Sequence, residues 1–284
     1  MTRYLITGAA GMLGRDLQLA LAGRDVTAFD RTGLDITDKA AVAAAVTGFD
    51  VVINAAAYTK VDDAETNEDA AYLINAVGPG NLARAAAATG ARLVQISTDY
   101  VFEGNATSPY QEDAPINPIS AYGRTKAAGE EFVLAGNPGK TYIVRTAWLY
   151  GKNGPNFPKT MLKLAATRDT LSVVDDQVGQ PTWTVDLAAQ IVALLDADAP
   201  AGIYHGTNSG VTSWFGFAQA VLAANGLDPA RVLPTDGASF VRPAPRPAYS
   251  VLGHDRWAAA GLTPMRDWHE ALTQAVAQGA LESE

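Results

Sequence analysis

Three glycines, Gly8, Gly11 and Gly14, lie between a short apolar run, Arg3–Thr7, and a helix-forming stretch over residues 15–21. An apolar run this short that stops at glycine reads as a buried strand. Glycine here permits a tight turn, lets the backbone approach a bound group, and lets the following helix pack closely on the strand. The free N–H groups at that helix start can then receive phosphate. The spacing is Gly-x-x-Gly-x-x-Gly rather than the usual Gly-x-Gly-x-x-Gly. Its place at the first strand–helix junction, not the spacing, favours a dinucleotide over an ordinary turn. Gly8, Gly11, Met12, Leu13 and Gly14 are therefore candidate cofactor contacts.

The pattern then repeats. Strand-like segments at Asp25–Phe29, residues 50–54, residues 92–97 and Thr141–Thr146 alternate with helical ones at Lys39–Val46, residues 70–89 and residues 122–134. Alternation without hairpin turns predicts an α/β fold, a doubly wound parallel sheet of Rossmann type covered on both faces. After Gly151 prolines and polar turns break the rhythm, and 284 residues exceed what one compact domain usually needs. The expected division is a dinucleotide-binding domain over residues 1–150, completed by segments of the later chain, and a smaller α/β lobe for substrate over residues 151–284. Residues 172–174 and 202–204 are further strand candidates, and proline keeps residues 242–247 extended or looped.

Composition narrows the partners. A net charge of -9 disfavours nucleic acid or an anionic membrane, because phosphate binding needs a basic field. There is no cysteine for a thiolate nucleophile or a cysteine-ligated metal, and His205, His254 and His269 are too scattered for a metal motif. No metal site is expected. Nothing resembles a membrane span or a secretory signal, so a cytoplasmic protein is expected, with a homodimer allowed.

The chemistry gathers where strands end. Tyr122 and Lys126, four apart, share one helical face. A phenol titrates near 10, roughly, and a neighbouring ammonium lowers that value toward the range of a general acid or base. Thr98, leaving the strand 92–97, is placed to hydrogen-bond a substrate oxygen beside Tyr122. Asn54, Ala55, Ala56 and Ala57 leave the third strand at the same edge, where ligands bind in open α/β sheets. Asp30 after the second strand suits ribose hydroxyls, whereas Arg31 suits a 2′-phosphate, so both NADH and NADPH stay open. Asp35 and Ile36 are candidates to flank the adenine, with helix capping the competing role for Asp35 or Asp38.

These segments, together with Asn54–Asp62, Ser97-Thr-Asp-Tyr-Val-Phe102, Arg145-Thr-Ala-Trp-Leu-Tyr-Gly151 and Asp176-Gln-Val-Gly-Gln-Pro-Thr182, resemble the extended short-chain dehydrogenase/reductase superfamily. Over nearly the full length the resemblance is to its dTDP-4-dehydrorhamnose reductase family. It implies NAD(P)H-dependent reduction of the 4-keto group of a dTDP-sugar, dTDP-4-dehydro-L-rhamnose, in dTDP-rhamnose biosynthesis. By that family's logic Tyr122 donates the proton, Lys126 binds the nicotinamide ribose and tunes Tyr122, and Thr98 completes the triad. Asp99 and Trp148 would line the sugar pocket, and Gln177, Thr182 and Arg246 would lie near the nucleotide sugar. The family's Arg-Pro-x-Asn-Ser-x-Leu pattern carries Tyr249 at its Asn position here, which weakens the reading of Arg246.

Two other functions compete: an epimerase or dehydratase that recycles its nicotinamide, and a non-catalytic cofactor-binding subunit. Among the remaining residues, Arg242 is read as a substrate-pyrophosphate partner or a loop arginine in water. Asp62, Asp63 and Glu65 are read as a solvated acidic face, and Trp257 and Trp268 as anchors of a C-terminal helix pair.

Overall fold

Parallel strands covered on both faces must be apolar almost throughout, and the central strands are. In the computed structural model, which describes residues 1–282, every residue of Val51–Asn54 and Thr141–Thr146 is buried. The first half runs β1 Arg3–Thr7, α1 Met12–Ala20, β2 Asp25–Phe29, α2 Lys39–Val46, β3 Val51–Asn54, α3 Val61–Ala64 and α4 Glu68–Tyr72. It continues through a π-helical turn Leu73–Val77, α5 Gly78–Thr89, β4 Arg92–Thr98, α6 Ala121–Gly136 and β5 Thr141–Thr146. Thus α1 begins before residue 15, and the helix expected over 70–89 is broken by the π-helical turn, whose Asn75 bonds both backbone groups of Tyr58.

The second half has β6 Leu149–Tyr150, α7 Phe157–Ala165, β7 Leu171–Val174, β8 Val178–Gly179, β9 Thr182–Trp183 and α8 Thr184–Asp196. Then come β10 Gly202–His205, β11 Thr212–Ser213, α9 Trp214–Ala224, β12 Val232–Thr235, α10 Asp255–Ala259 and α11 Trp268–Ala277.

The main sheet has six parallel strands in the order β10-β5-β4-β3-β1-β2. The chain moves from β1 outward to β2 and then returns to β3 on the other side, so the crevice between the ends of β1 and β3 is the topological switch point. Alternation along β1 separates the two cores. Tyr4 and Ile6 pack with Leu17 of α1 and Leu187 and Ile191 of α8, while Leu5 packs with Val42 of α2, Leu82 of α5 and Val133 of α6. Helix α8 and strand β10 thus bring the later chain into the sheet half.

A third core, including Tyr150, Trp183, Phe217, Val221 and Leu272, holds the lobe together. Its strands pair only in twos. Trp257 and Trp268 do not form one helix pair. Trp257 is buried against the sheet, its indole N–H donating to the His205 carbonyl at 2.7 Å, whereas Trp268 belongs to the lobe. Among the described residues no helix is long and apolar enough to cross a membrane.

Candidate active site

The glycine turn closes directly on the end of β3. Gly8 has φ +72°, and a Cβ there would stand 2.5 Å from the Ala56 nitrogen. A Cβ on Gly14 would lie 2.2 Å from the Gly8 carbonyl oxygen. Gly11 precedes α1 with no side-chain cap, so the first N–H groups of the helix are left to a ligand. Leu13 is a core residue and can offer only its backbone; Met12 is half-buried beside Gly151. These residues fit a dinucleotide pyrophosphate. Gly14→Ala is expected to cost about 1–3 kcal/mol by overpacking and to weaken dinucleotide binding roughly tenfold or more. Thermal melting and fluorescence titration check both; unchanged affinity would remove the turn from the cofactor site.

Asp30 is exposed and accepts from the Thr32 N–H and hydroxyl and the Gly33 N–H, all through Oδ1. Those bonds hold its carboxyl below the usual range. A cleft of about 400 Å³ bounded by Ala9, Arg15, Gln18, Phe29 and Asp30 opens beside it. Arg31 is exposed next to this cleft in sequence. Asp38, not Asp35, caps α2, accepting from Ala40 and Ala41. Asp35 is exposed and binds Thr37, while Ile36 is buried against Gly78 and belongs to the core beneath α5.

Asn54 has no exposed surface. It accepts from the Thr7 hydroxyl at 2.6 Å and the Ala56 N–H at 3.1 Å, and donates to Gln95 Oε1 at 2.7 Å. It therefore locks the ends of β1, β3 and β4 together, just before the half-buried Ala55, Ala56 and Ala57. Gln95 in turn donates to the Ile96 carbonyl at 2.7 Å, the same oxygen that receives the Lys126 ammonium at 2.6 Å. Gln95 was not anticipated as a site residue; its signal was a polar side chain inside the run Leu-Val-Gln-Ile.

Helix α6 delivers Tyr122 and Lys126. Ser120 caps it through Gly123, and Glu65 accepts from the Ala121 N–H at 2.8 Å, placing a carboxylate at its positive end. Lys126 is buried, and desolvation pushes its ammonium down to about 8, opposed by Glu130. The expected lowering of the Tyr122 phenol does not occur. Burial pushes it up to about 12, aided by the nearby Asp99 and partly offset by Thr98, while the Lys126 ammonium bonds the Ile96 carbonyl. The Tyr122 ring packs edge-on to Tyr100 at 5.6 Å between centroids.

Asp99 lies beneath Thr98 rather than on an open pocket wall, only 2% exposed. Trp148 adopts φ +47°, uncommon for a bulky residue and a source of strain. Its ring stacks on Trp214 at 3.6 Å, and a side chain at Gly179 would strike it at 2.7 Å. Gln177 is half-buried and offers its carbonyl to Trp214. Thr182 departs from expectation: it has no exposed surface and sits in the β6–β9 pair, so its side chain is part of the fold. Arg246 is also spoken for, paired with Asp62 at 2.9 Å, with Arg242 3.5 Å from the same carboxylate. Asp62 and Glu65 are thus working partners across the fold, not a solvated face, and Asp63 receives the Tyr58 hydroxyl.

This geometry has close counterparts. The chain is 54% identical over 280 residues to a dTDP-4-dehydrorhamnose reductase of Streptomyces griseus, covering 96% of this chain and 92% of that one. It is 50% identical to a dTDP-4-keto-6-deoxy-D-glucose reductase of Streptomyces niveus, covering 96% of each. The crystal structure of dTDP-4-dehydrorhamnose reductase from Bacillus anthracis in complex with NADP superposes with a TM-score of 0.94 at 42% identity, over 98% of this chain and 100% of that one. The family model described as the RmlD substrate binding domain matches residues 2–281, and the chain belongs to that family, the dTDP-4-dehydrorhamnose reductases of the extended short-chain dehydrogenase/reductase superfamily.

Proposed function

We propose that the chain reduces the 4-keto group of dTDP-4-dehydro-L-rhamnose to give dTDP-L-rhamnose, using NADPH or NADH. The observation that carries this reading is the convergence of Thr98, Tyr122 and Lys126 beside an uncapped glycine turn at one edge of the sheet. The sheet half holds the dinucleotide and the lobe holds the sugar nucleotide. When bound, the reduced nicotinamide supplies hydride to the carbonyl carbon.

The residues do the rest. Backbone N–H groups from Met12 to Gly14 hold the pyrophosphate, and Ala55 to Ala57 leave room for the cofactor beside β3. Lys126, a cation at neutral pH, binds the nicotinamide ribose. Tyr122, kept protonated by its burial, gives its hydroxyl proton to the carbonyl oxygen as negative charge develops there. Trp148, held by Trp214, borders the sugar, with Gln177 near the nucleotide. Arg246, already neutralised by Asp62, shapes the cleft beside Tyr100. Asp30 favours NADH through the ribose hydroxyls, and Arg31 offers a place for the 2′-phosphate of NADPH.

A recycling dehydratase would need more acid at the end of β4 than Thr98-Asp99-Tyr100 supplies, since Asp99 is sealed beneath Thr98. A purely regulatory subunit would have no use for the assembled Tyr122 and Lys126. The deciding assay offers dTDP-4-dehydro-L-rhamnose and its 4-keto-6-deoxy-D-glucose epimer with each cofactor. Stoichiometric cofactor oxidation with the L-sugar, at a kcat/KM at least roughly tenfold above the D-epimer, is expected. No net oxidation with either sugar would overturn the reductase reading.

A further inference from the structure

The Thr98 hydroxyl carries one hydrogen and has more neighbours than that hydrogen can serve. Its oxygen lies 2.9 Å from Asp99 Oδ1 and accepts the Tyr100 N–H at 3.2 Å. The Tyr122 phenol is also near enough for Thr98 to lower its pKa. A hydroxyl is a single donor with two acceptor sites. If Asp99 is ionised, the charge-assisted bond takes the Thr98 hydrogen. Thr98 can then only accept from Tyr122 and gives nothing to a phenolate or a substrate oxygen. If Asp99 is neutral, its own O–H can donate to Thr98, and the Thr98 hydrogen turns toward Tyr122.

We propose that Asp99 is a positioning residue whose protonation decides whether Thr98 donates to, or only accepts from, the Tyr122 hydroxyl. The proposal rests on the reading of Tyr122 as proton donor. After proton transfer Tyr122 is a phenolate, and a donating Thr98 stabilises it. Neutral Asp99 is thus the state that assists reduction.

The surroundings of Asp99 suit such a role. The side chain is sealed from solvent, and its Oδ2 has no well-formed hydrogen bond among the described residues. Burial pushes the carboxyl up to about 6, against opposing contributions from Ser250, Thr98 and nearby backbone. The titratable groups facing it are Tyr122 from α6 and Tyr100, which is itself influenced by Arg246 and Asp62. The C-terminal segment contributes the uncharged Ser250. His205 and His254, pushed by burial to about 3 and about 4, titrate below this range.

The test is the single-turnover rate of cofactor oxidation, with enzyme saturated by reduced cofactor and sugar nucleotide, between pH 5 and 7, below the Lys126 titration near 8. Wild type is expected to slow roughly tenfold as pH rises through the Asp99 transition, the scale of a hydrogen bond to a charged group. Asp99→Asn, whose amide donates to Thr98 as the neutral acid does, is expected to lose that transition. Thr98→Ser keeps it and Thr98→Val removes it, a contrast that serves even if Asp99→Asn does not fold. In the Thr98→Val background, Asp99→Asn should add no further change. A transition that persists in Thr98→Val, or independent multiplicative effects of the two substitutions, overturns the proposal. Absence of any turnover in wild type would instead count against the reductase reading.

Discussion

Tyr122→Phe is expected to lower kcat by roughly two orders of magnitude or more, the scale of general acid catalysis, while changing dinucleotide affinity little. The substitution removes one oxygen and keeps the ring. That ring retains its edge-on contact with Tyr100 and its packing with Ala64, Ala71 and Ala121, so the helix and Lys126 stay in place. What is lost is the one hydroxyl that stands beside Thr98 with its proton retained. Because burial raises the phenol to about 12, it is protonated across the neutral range without needing adjustment before hydride arrives. The ammonium of Lys126, held by Ile96, stays positive below about 8. Steady-state cofactor oxidation gives kcat, and quenching of intrinsic fluorescence on cofactor titration gives affinity. Retention of most of the activity would remove Tyr122 as the proton source; a parallel collapse of affinity would mean that the substitution acts by disrupting the cofactor site.

The parts of this site that were legible in sequence are those dictated by local backbone or by strand order. Gly8 and Gly14 declare themselves because no other residue fits the turn, and Tyr122 and Lys126 because helical spacing alone makes them neighbours. Buried parallel strands announce themselves as apolar runs, which is why the sheet could be read through β5. The lobe could not, since its paired segments are two to four residues long and owe their place to contacts distant in the chain. The same cause hid the partners of the acidic segment: Arg246 reaches Asp62 across 184 positions, and Glu65 meets Ala121 across 56. The pKa expectation failed for a related reason. Spacing showed that an ammonium would lie one turn from the phenol, but not that the phenol would lose enough contact with water for desolvation to raise it.

Arg145→Met is expected to destabilise the fold by about 3–5 kcal/mol, the cost of leaving one member of a buried ion pair alone. Arg145 on β5 and Glu130 on α6 are 2% and 3% exposed, and two bonds of 3.0 and 2.7 Å join guanidinium to carboxylate. The guanidinium also donates to the Glu112 carbonyl at 3.2 Å and lies 4.9 Å from the centre of the Phe102 ring. Removing it strands a carboxylate with no access to water, whereas Arg145→Met with Glu130→Leu removes both charges and should recover much of the loss. Denaturant midpoints of the two single variants and the double variant measure this. Additive losses would show that the pair itself stabilises little. Glu130 lies one turn beyond Lys126 on α6, as Lys126 lies one turn beyond Tyr122, so a single helical face carries the proton donor, its cation and the anchor to the sheet. The double variant should therefore fold yet work poorly, because Lys126 loses the carboxylate that favours its charged form, and its ammonium should titrate at a lower pH than in wild type. Unchanged titration of Lys126 in the double variant, followed by NMR of the lysine side chain, would confine the Arg145–Glu130 pair to holding the helix.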